Sequence, residues 1–211
     1  MQIIDITIPL SEKTPVWEGD QGVKIRQVSF TDNGADFNIS RTEFGVHAGT
    51  HIDAPFHLFS QGKTVDTIPL DILIGDAVVL EIDPSYDVID VKTLQACGFL
   101  PGTQRLILKT RNTDYWVNDP YGFNRDFMGI NTDGAEYLVE QEVQLVGIDY
   151  FSASPISDLK KPHEIMLEAG IVILENTYLV NVKPGAYHLI CLPLKLIGTD
   201  GAPVRAVLTK D

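Results

Sequence analysis

The sequence predicts an α/β fold: a single domain, residues 1–211, with a mixed β-sheet at its core. Three observations point there. Short apolar runs rich in β-branched residues outnumber segments with helical spacing. They follow one another irregularly, without the strand–helix alternation of a regular parallel sheet. Glycine and proline are spread throughout, and no Ser/Gly/Pro linker or repeat divides the chain.

Taken in order, the strand-like runs are Ile3–Ile8, Val23–Phe30, Asp36–Phe44, Ala77–Ile82, Arg105–Lys109, Val143–Ile148, Ile171–Leu174, Tyr187–Leu196 and Val204–Leu208. Three segments read as helices. Asp90–Ala96 has an acid at its start and Gly98 beyond its end. Thr132–Glu142 carries Ala135, Leu138 and Val139 at helical spacing. His163–Ala169 is stopped by Gly170. A chain of 211 residues buries roughly 70% of the surface its unfolded form exposes, enough for a core without staples.

Composition narrows the function. Hydrophobic residues make up 44% and charged residues 21%, as in an ordinary globular protein. Sixteen basic residues stand against twenty-nine acidic ones, a net charge of −13. That balance argues against a nucleic-acid partner, which needs a basic footprint, and against docking on anionic lipid. MQIIDITIPL lacks a basic, cleavable leader, and no apolar run approaches the roughly 20 residues of a membrane span. The expectation is a soluble, cytoplasmic protein. Cys97 and Cys191 sit in apolar or small-residue contexts and read as buried free thiols. Phosphate-cradling glycine motifs and a G-x-S-x-G elbow are missing from the sequence.

The stretch that carries chemistry is Gly45–His57, GVHAGTHIDAPFH. His47, His51, Asp53 and His57 fall within eleven residues of a chain that has five histidines. Imidazole and carboxylate are the usual ligands of zinc, manganese or iron, at bond lengths of about 2.0–2.2 Å. The donors must therefore converge. Four residues of extended strand span roughly 13 Å, and one helix would turn Asp53 away from His47 and His51. The segment must bend, and Gly45, Gly49 and Pro55 allow it. A compact loop with Thr50 bonded to a ligand or to backbone is the expected form.

Elsewhere the residues say less. Glu175 closes the apolar run GIVIL at a strand end, as a solvated cap or a ligand. Asp149 either orients the site or caps a turn. Glu164 and Glu168 read as solvated charges, His188 as structural, and Trp17 and Phe44 fit ordinary core aromatics.

H-x-G-T-H-x-D-x-P-x-H closely resembles the signature of the cyclase family, which includes bacterial kynurenine formamidase and isatin hydrolase. ITIPLSEKTPVWEGD is similar to the family's opening, VGIDYFSASP to its G-I-D segment, KPHEIMLEAGIVILEN to its later metal-site segment, and LPLKLIGTDGAPVRAVL to its close. The resemblance implies a swivelling β/β/α type of fold. It implies that His47, His51 and Asp53 bind a first zinc or manganese ion. Asp53 would bridge to a second ion held with His163 and Glu175, giving one or two ions per subunit. It further implies His57 as the proton-transfer residue, Trp17 in the substrate pocket, and a homodimer or higher homo-oligomer acting on a small molecule. The expected activity is hydrolysis of a small aromatic formamide or cyclic amide, with N-formylkynurenine as the leading substrate. A cyclase or dehydratase is the alternative enzyme, and a non-catalytic metal or small-molecule binding protein the alternative from another class. One departure stands out. Kynurenine formamidases of this family usually carry an acidic residue where this chain has Ser154, and Tyr150 and Phe151 are bulkier than that subgroup's residues.

Overall fold

The structure is a computed structural model that describes residues 1–210. Its strands are β1 (Gln2–Asp5), β2 (Lys24–Ser29), β3 (Ile39–Glu43), β4 (His51–Asp53), β5 (Ile74–Glu81), β6 (Arg105–Lys109), β7 (Leu145–Ile148), β8 (Val172–Glu175), β9 (Gly185–Pro193) and β10 (Gly201–Lys210). The helices are α1 (Leu70–Leu73), α2 (Val91–Ala96), α3 (Thr113–Asn118), α4 (Thr132–Glu140) and α5 (Lys160–Glu168). The sheet is mixed, as expected. The strands β5, β6, β7 and β8 run parallel, while β4, β9 and β10 pair antiparallel with their neighbours.

The sheet also closes. Its order is β1-β10-β4-β8-β7-β6-β5-β9, and β9 pairs back onto β10. Seven strands form a barrel, with β1 added outside the ring on β10. Closure leaves the ring strands no free edge. Local sequence patterns carry no trace of this, because the closing pairs join distant segments: Pro203 faces His51, and Leu208 faces Leu189.

Period-two alternation divides the barrel strands between two cores. Ile52, Val79, Ile107, Leu145, Leu174, Leu189 and Ala206 fill one cluster, drawn from all seven ring strands. Leu80, Leu106, Leu108, Val146, Ile148 and Ile173 face the other way and pack with Leu94 of α2, Leu138 of α4 and Met166 of α5. Covered on both faces, β6 and β7 read as unbroken apolar runs. Trimming the fully buried Ile107 to alanine costs about 2–5 kcal/mol, since it sits mid-strand with no route for collapse.

Most helix signals hold. Asp90 caps α2 by accepting from Thr93 N–H at 2.7 Å, and Asn131 caps α4 by accepting from Gly134 N–H at 3.0 Å. Gly170 at φ +82° ends α5. Other expectations need correcting. α5 starts at Lys160, three residues earlier than expected, which puts Pro162 inside it. The sequence reading missed α1 and α3, each under two turns and too short for a periodic signal. Val23–Phe30 and Asp36–Phe44 are strands, but they form a separate two-stranded hairpin, β2–β3, outside the barrel. Ile3–Ile8 stops as a strand at Asp5, with Thr7 making a single bridge to Thr177.

Candidate metal centre

The donors come from a turn, two neighbouring strands and a helix. The turn before β4 carries His47. β4 itself carries His51 and Asp53, so the expectation of one compact loop is corrected: only His47 needs the bend. Two residues apart on a strand, His51 and Asp53 share a face, while Ile52 between them points into the barrel core. In the β4–β8 register His51 lies opposite Glu175, and α5 lays His163 over the same spot. Gly201 of β10 faces Asp53. A Cβ there would stand 2.9 Å from the His47 ring, so glycine leaves the room that ring occupies. Thr50 fixes the turn through backbone: its hydroxyl donates to Asn176 O at 2.6 Å and accepts from Ile8 N–H.

Among the described residues no lysine or arginine pairs with the converging carboxylates; only histidines do. His47 Nδ1 lies 2.9 Å from Asp53 Oδ1, and His163 Nε2 lies 3.0 Å from Glu175 Oε1. His51 donates through Nδ1–H to Gly49 O at 2.8 Å. Its Nε2 is buried, has no hydrogen-bond partner, and faces Asp53 Oδ1 and Glu175 Oε2, each at 3.4 Å. An imidazole lone pair aimed at two carboxylates is repulsive unless positive charge sits between them. Ligand atoms of His47, His51 and Asp53 lie within 4.8 Å of one another, as do those of Asp53, His163 and Glu175, with Asp53 common to these two buried sets; His47, His57 and Asp200 form a third, more exposed set at the mouth. The residues therefore fit a divalent ion, and the shared carboxylate gives room for a second.

Protonation follows the same charges. Burial works against the charged form of His47, but Asp200 and Asp53 outweigh it and hold its pKa up at about 10. Burial likewise opposes His51, whose carboxylate neighbours Asp53 and Glu175 bring it up to about 9. Asp53 is held well below the ordinary carboxylate range by His47 and His51 despite its burial. Glu175, which also accepts from Ala153 N–H at 2.7 Å, is lowered by His163 and His51 against burial and the charge of Asp53. Bound protons thus occupy the positive role in this cluster, and a metal ion displaces them.

His57 lies in the short 3-10 turn Pro55–His57 at the mouth of the site, with its ring 4.3 Å from that of His47. A cavity of about 340 Å³ opens above the donors, walled by Trp17, Leu58, Phe151 and Leu159. Trp17 is half-buried and stacks edge-on against Phe123 at 5.1 Å. All seven residues singled out from the sequence, His47, His51, Asp53, His57, His163, Glu175 and Trp17, therefore line one cavity.

Two residues in contact with the site were missed. Asp200 Oδ2 accepts from His47 Nε2 at 2.7 Å and from His57 Nδ1 at 3.3 Å. Nothing local marks it among twenty-nine acids. The sequence marks Ser154 only as a departure from the family pattern, yet its hydroxyl meets His163 Nδ1 at 2.6 Å, beside Leu159 O at 3.0 Å. Asp149 proves to be a turn cap. It accepts from the backbone and hydroxyl of Thr110 and of Thr113 at the start of α3, while burial pushes its pKa up to about 6. His188 faces Asp76 at 3.3 Å on the outside of β9, away from this cavity.

Comparison with known proteins agrees with this geometry. The Cyclase family model matches residues 4–155. Cyclase-like protein 3 of Oryza sativa subsp. japonica is 36% identical over 99% of this chain and 80% of its own. The kynurenine formamidase of Salinibacter ruber is 36% identical over 99% of this chain and 97% of its own. Among solved structures, a "predicted metal-dependent hydrolase" from Bacillus stearothermophilus superposes with a TM-score of 0.83, at 30% identity over 98% of this chain and 97% of that one. By sequence along nearly its whole length, and by fold, the chain belongs to the Cyclase family.

Proposed function

We propose that the chain is a metal-dependent hydrolase of a small aromatic formamide, with N-formylkynurenine, cleaved to kynurenine and formate, as the leading substrate. One observation carries this reading: an unpartnered, buried His51 Nε2 among carboxylates at the floor of an aromatic-walled cavity. The full-length similarity to a kynurenine formamidase supports the substrate class.

In this reading His47, His51 and Asp53 hold one zinc or manganese ion, and Asp53, His163 and Glu175 a second where present. The bound ion supplies Lewis acidity, activating water and polarising the formyl carbonyl. Trp17 and Phe151 clasp the aryl ring and exclude bulk water. His57, at the cavity mouth, takes a proton from the attacking water and returns it to the departing nitrogen. The C–N bond breaks, the carbonyl carbon keeps the water oxygen, and formate and the free aryl amine leave.

A ring-closing or dehydrating activity is the second reading, favoured by the cyclase-like relatives; it consumes no water. We also infer a homodimer or higher homo-oligomer. Hairpin β2–β3 supports it: Ile25, Val28, Phe37 and Ile39 are exposed, and an isolated two-stranded hairpin is marginal in water. Free Cys97 and Cys191 suit the reducing cytoplasm, where we place the protein.

The test is elemental analysis on a preparation assayed for N-formylkynurenine hydrolysis with and without chelator. Metal together with chelator-sensitive turnover is the expected result. A chain that takes up no metal after reconstitution overturns the proposal.

A further inference from the structure

We propose that Asp200 is the positioning carboxylate of this centre, a single oxygen that fixes His47 toward the metal position and His57 toward the cavity. The inference rests on the metal-hydrolase reading and extends it to a residue outside the ligand set.

A carboxylate oxygen only accepts hydrogen bonds. Asp200 Oδ2 sits 2.7 Å from His47 Nε2 and 3.3 Å from His57 Nδ1, so both of those nitrogens carry hydrogen. Each neutral ring then has its lone pair on the opposite nitrogen. For His47 that is Nδ1: without metal it also carries a proton, donated to Asp53 Oδ1 at 2.9 Å, and that is the proton a metal ion held with Asp53 would displace. For His57 it is Nε2, the nitrogen left free to exchange a proton with substrate. One carboxylate thereby selects the tautomer of a ligand and of the proton-transfer group, and ties the two rings together.

The backbone holds Asp200 at this point. Asp200 O accepts from Ala54 N–H at 2.8 Å, and Thr199 O accepts from Val65 N–H at 3.0 Å. The next residue, Gly201, pairs with Asp53. The loop is thus stitched to both ends of the segment that carries Asp53 and His57. Among the described residues the carboxylate bonds no side chains other than these two rings.

The first measurement uses the wild-type holoenzyme: long-range ¹⁵N–¹H correlation spectra of its histidines, which report the tautomer. Hydrogen on Nε2 of His47 and on Nδ1 of His57 is the expected result, and hydrogen on Nδ1 of His47 overturns the inference. The second compares wild type with Asp200→Asn and Asp200→Ala. Zinc affinity, read by competition with a chromophoric chelator, falls about 10- to 100-fold, and kcat falls more than KM rises. Variants that bind zinc within about twofold of wild type overturn this inference alone, whether or not they melt lower. A wild-type chain that takes up no metal overturns the underlying reading, and this inference with it.

Discussion

Removing the metal should cost more stability the higher the pH. Without metal, the two buried carboxylates of Asp53 and Glu175 rely on histidine protons. His51 is fully buried between them, and its pKa stands at about 9 in the fold against 6.5 when unperturbed. A raised pKa means that the proton's stabilisation is complete below pH 6.5 and lost as pH climbs toward 9. At about 1.4 kcal/mol per pH unit, that step is worth roughly 3 kcal/mol as a ceiling. Metal-loaded protein needs His51 neutral and does not depend on this proton. The melting-temperature gap between loaded and chelated protein should therefore widen from pH 6.5 to 9. For a chain of this size, roughly 3 kcal/mol corresponds to about 6–12 °C. Thermal unfolding with saturating zinc or excess chelator, at three pH values across that window, measures the gap. A gap that stays constant or narrows would refute the assignment of His51 as both proton carrier and metal ligand.

His51→Ala should lose bound metal, whereas His57→Ala should keep it and lose about 10²- to 10⁴-fold in turnover; metal analysis beside kinetics separates them, and metal loss from the His57 variant contradicts the division between ligand and proton-transfer residue. Trp17→Ala should raise KM with a smaller effect on kcat, because the ring clasps substrate without touching the reacting bond; steady-state kinetics with an unchanged KM would remove Trp17 from the pocket. Ser154→Ala should weaken zinc binding less than either Asp200 variant, because Leu159 O still accepts from His163 Nδ1; the chelator competition assay decides. Phe37→Asp with Ile39→Asp, on the exposed hairpin, should shift the oligomer toward smaller species in sedimentation, and an unchanged distribution would count against a hairpin interface.

The sequence made the chemistry legible where donors lie close together in the chain. His47, His51, Asp53 and His57 stand out because three of five histidines share one short stretch. Glu175 was marked by its place at the end of an apolar run, and His163 only by family resemblance. Asp200 was invisible because its partners lie far away in the chain: 153 positions separate it from His47. The same distance hid the barrel. The apolar, β-branched runs of β5, β6 and β10 identify strands but not their neighbours, and β4 has three residues, too few to show a period. Ser154 was read as a departure from a pattern, while its contact with His163 depends on how α5 folds back over β8.

Barrel closure also sets the order in which this site can come into being. The strand bearing His51 and Asp53 is held on one side by β8 and on the other by β10. On a ribosome His47, His51 and Asp53 emerge early, but they have no finished seat until Glu175, Asp200 and Gly201 follow. A nascent chain stalled before β10 carries the most conspicuous donors of the molecule and no frame to hold them. The centre is thus completed only once β10 has been made and paired, so metal uptake reports that the whole ring has closed.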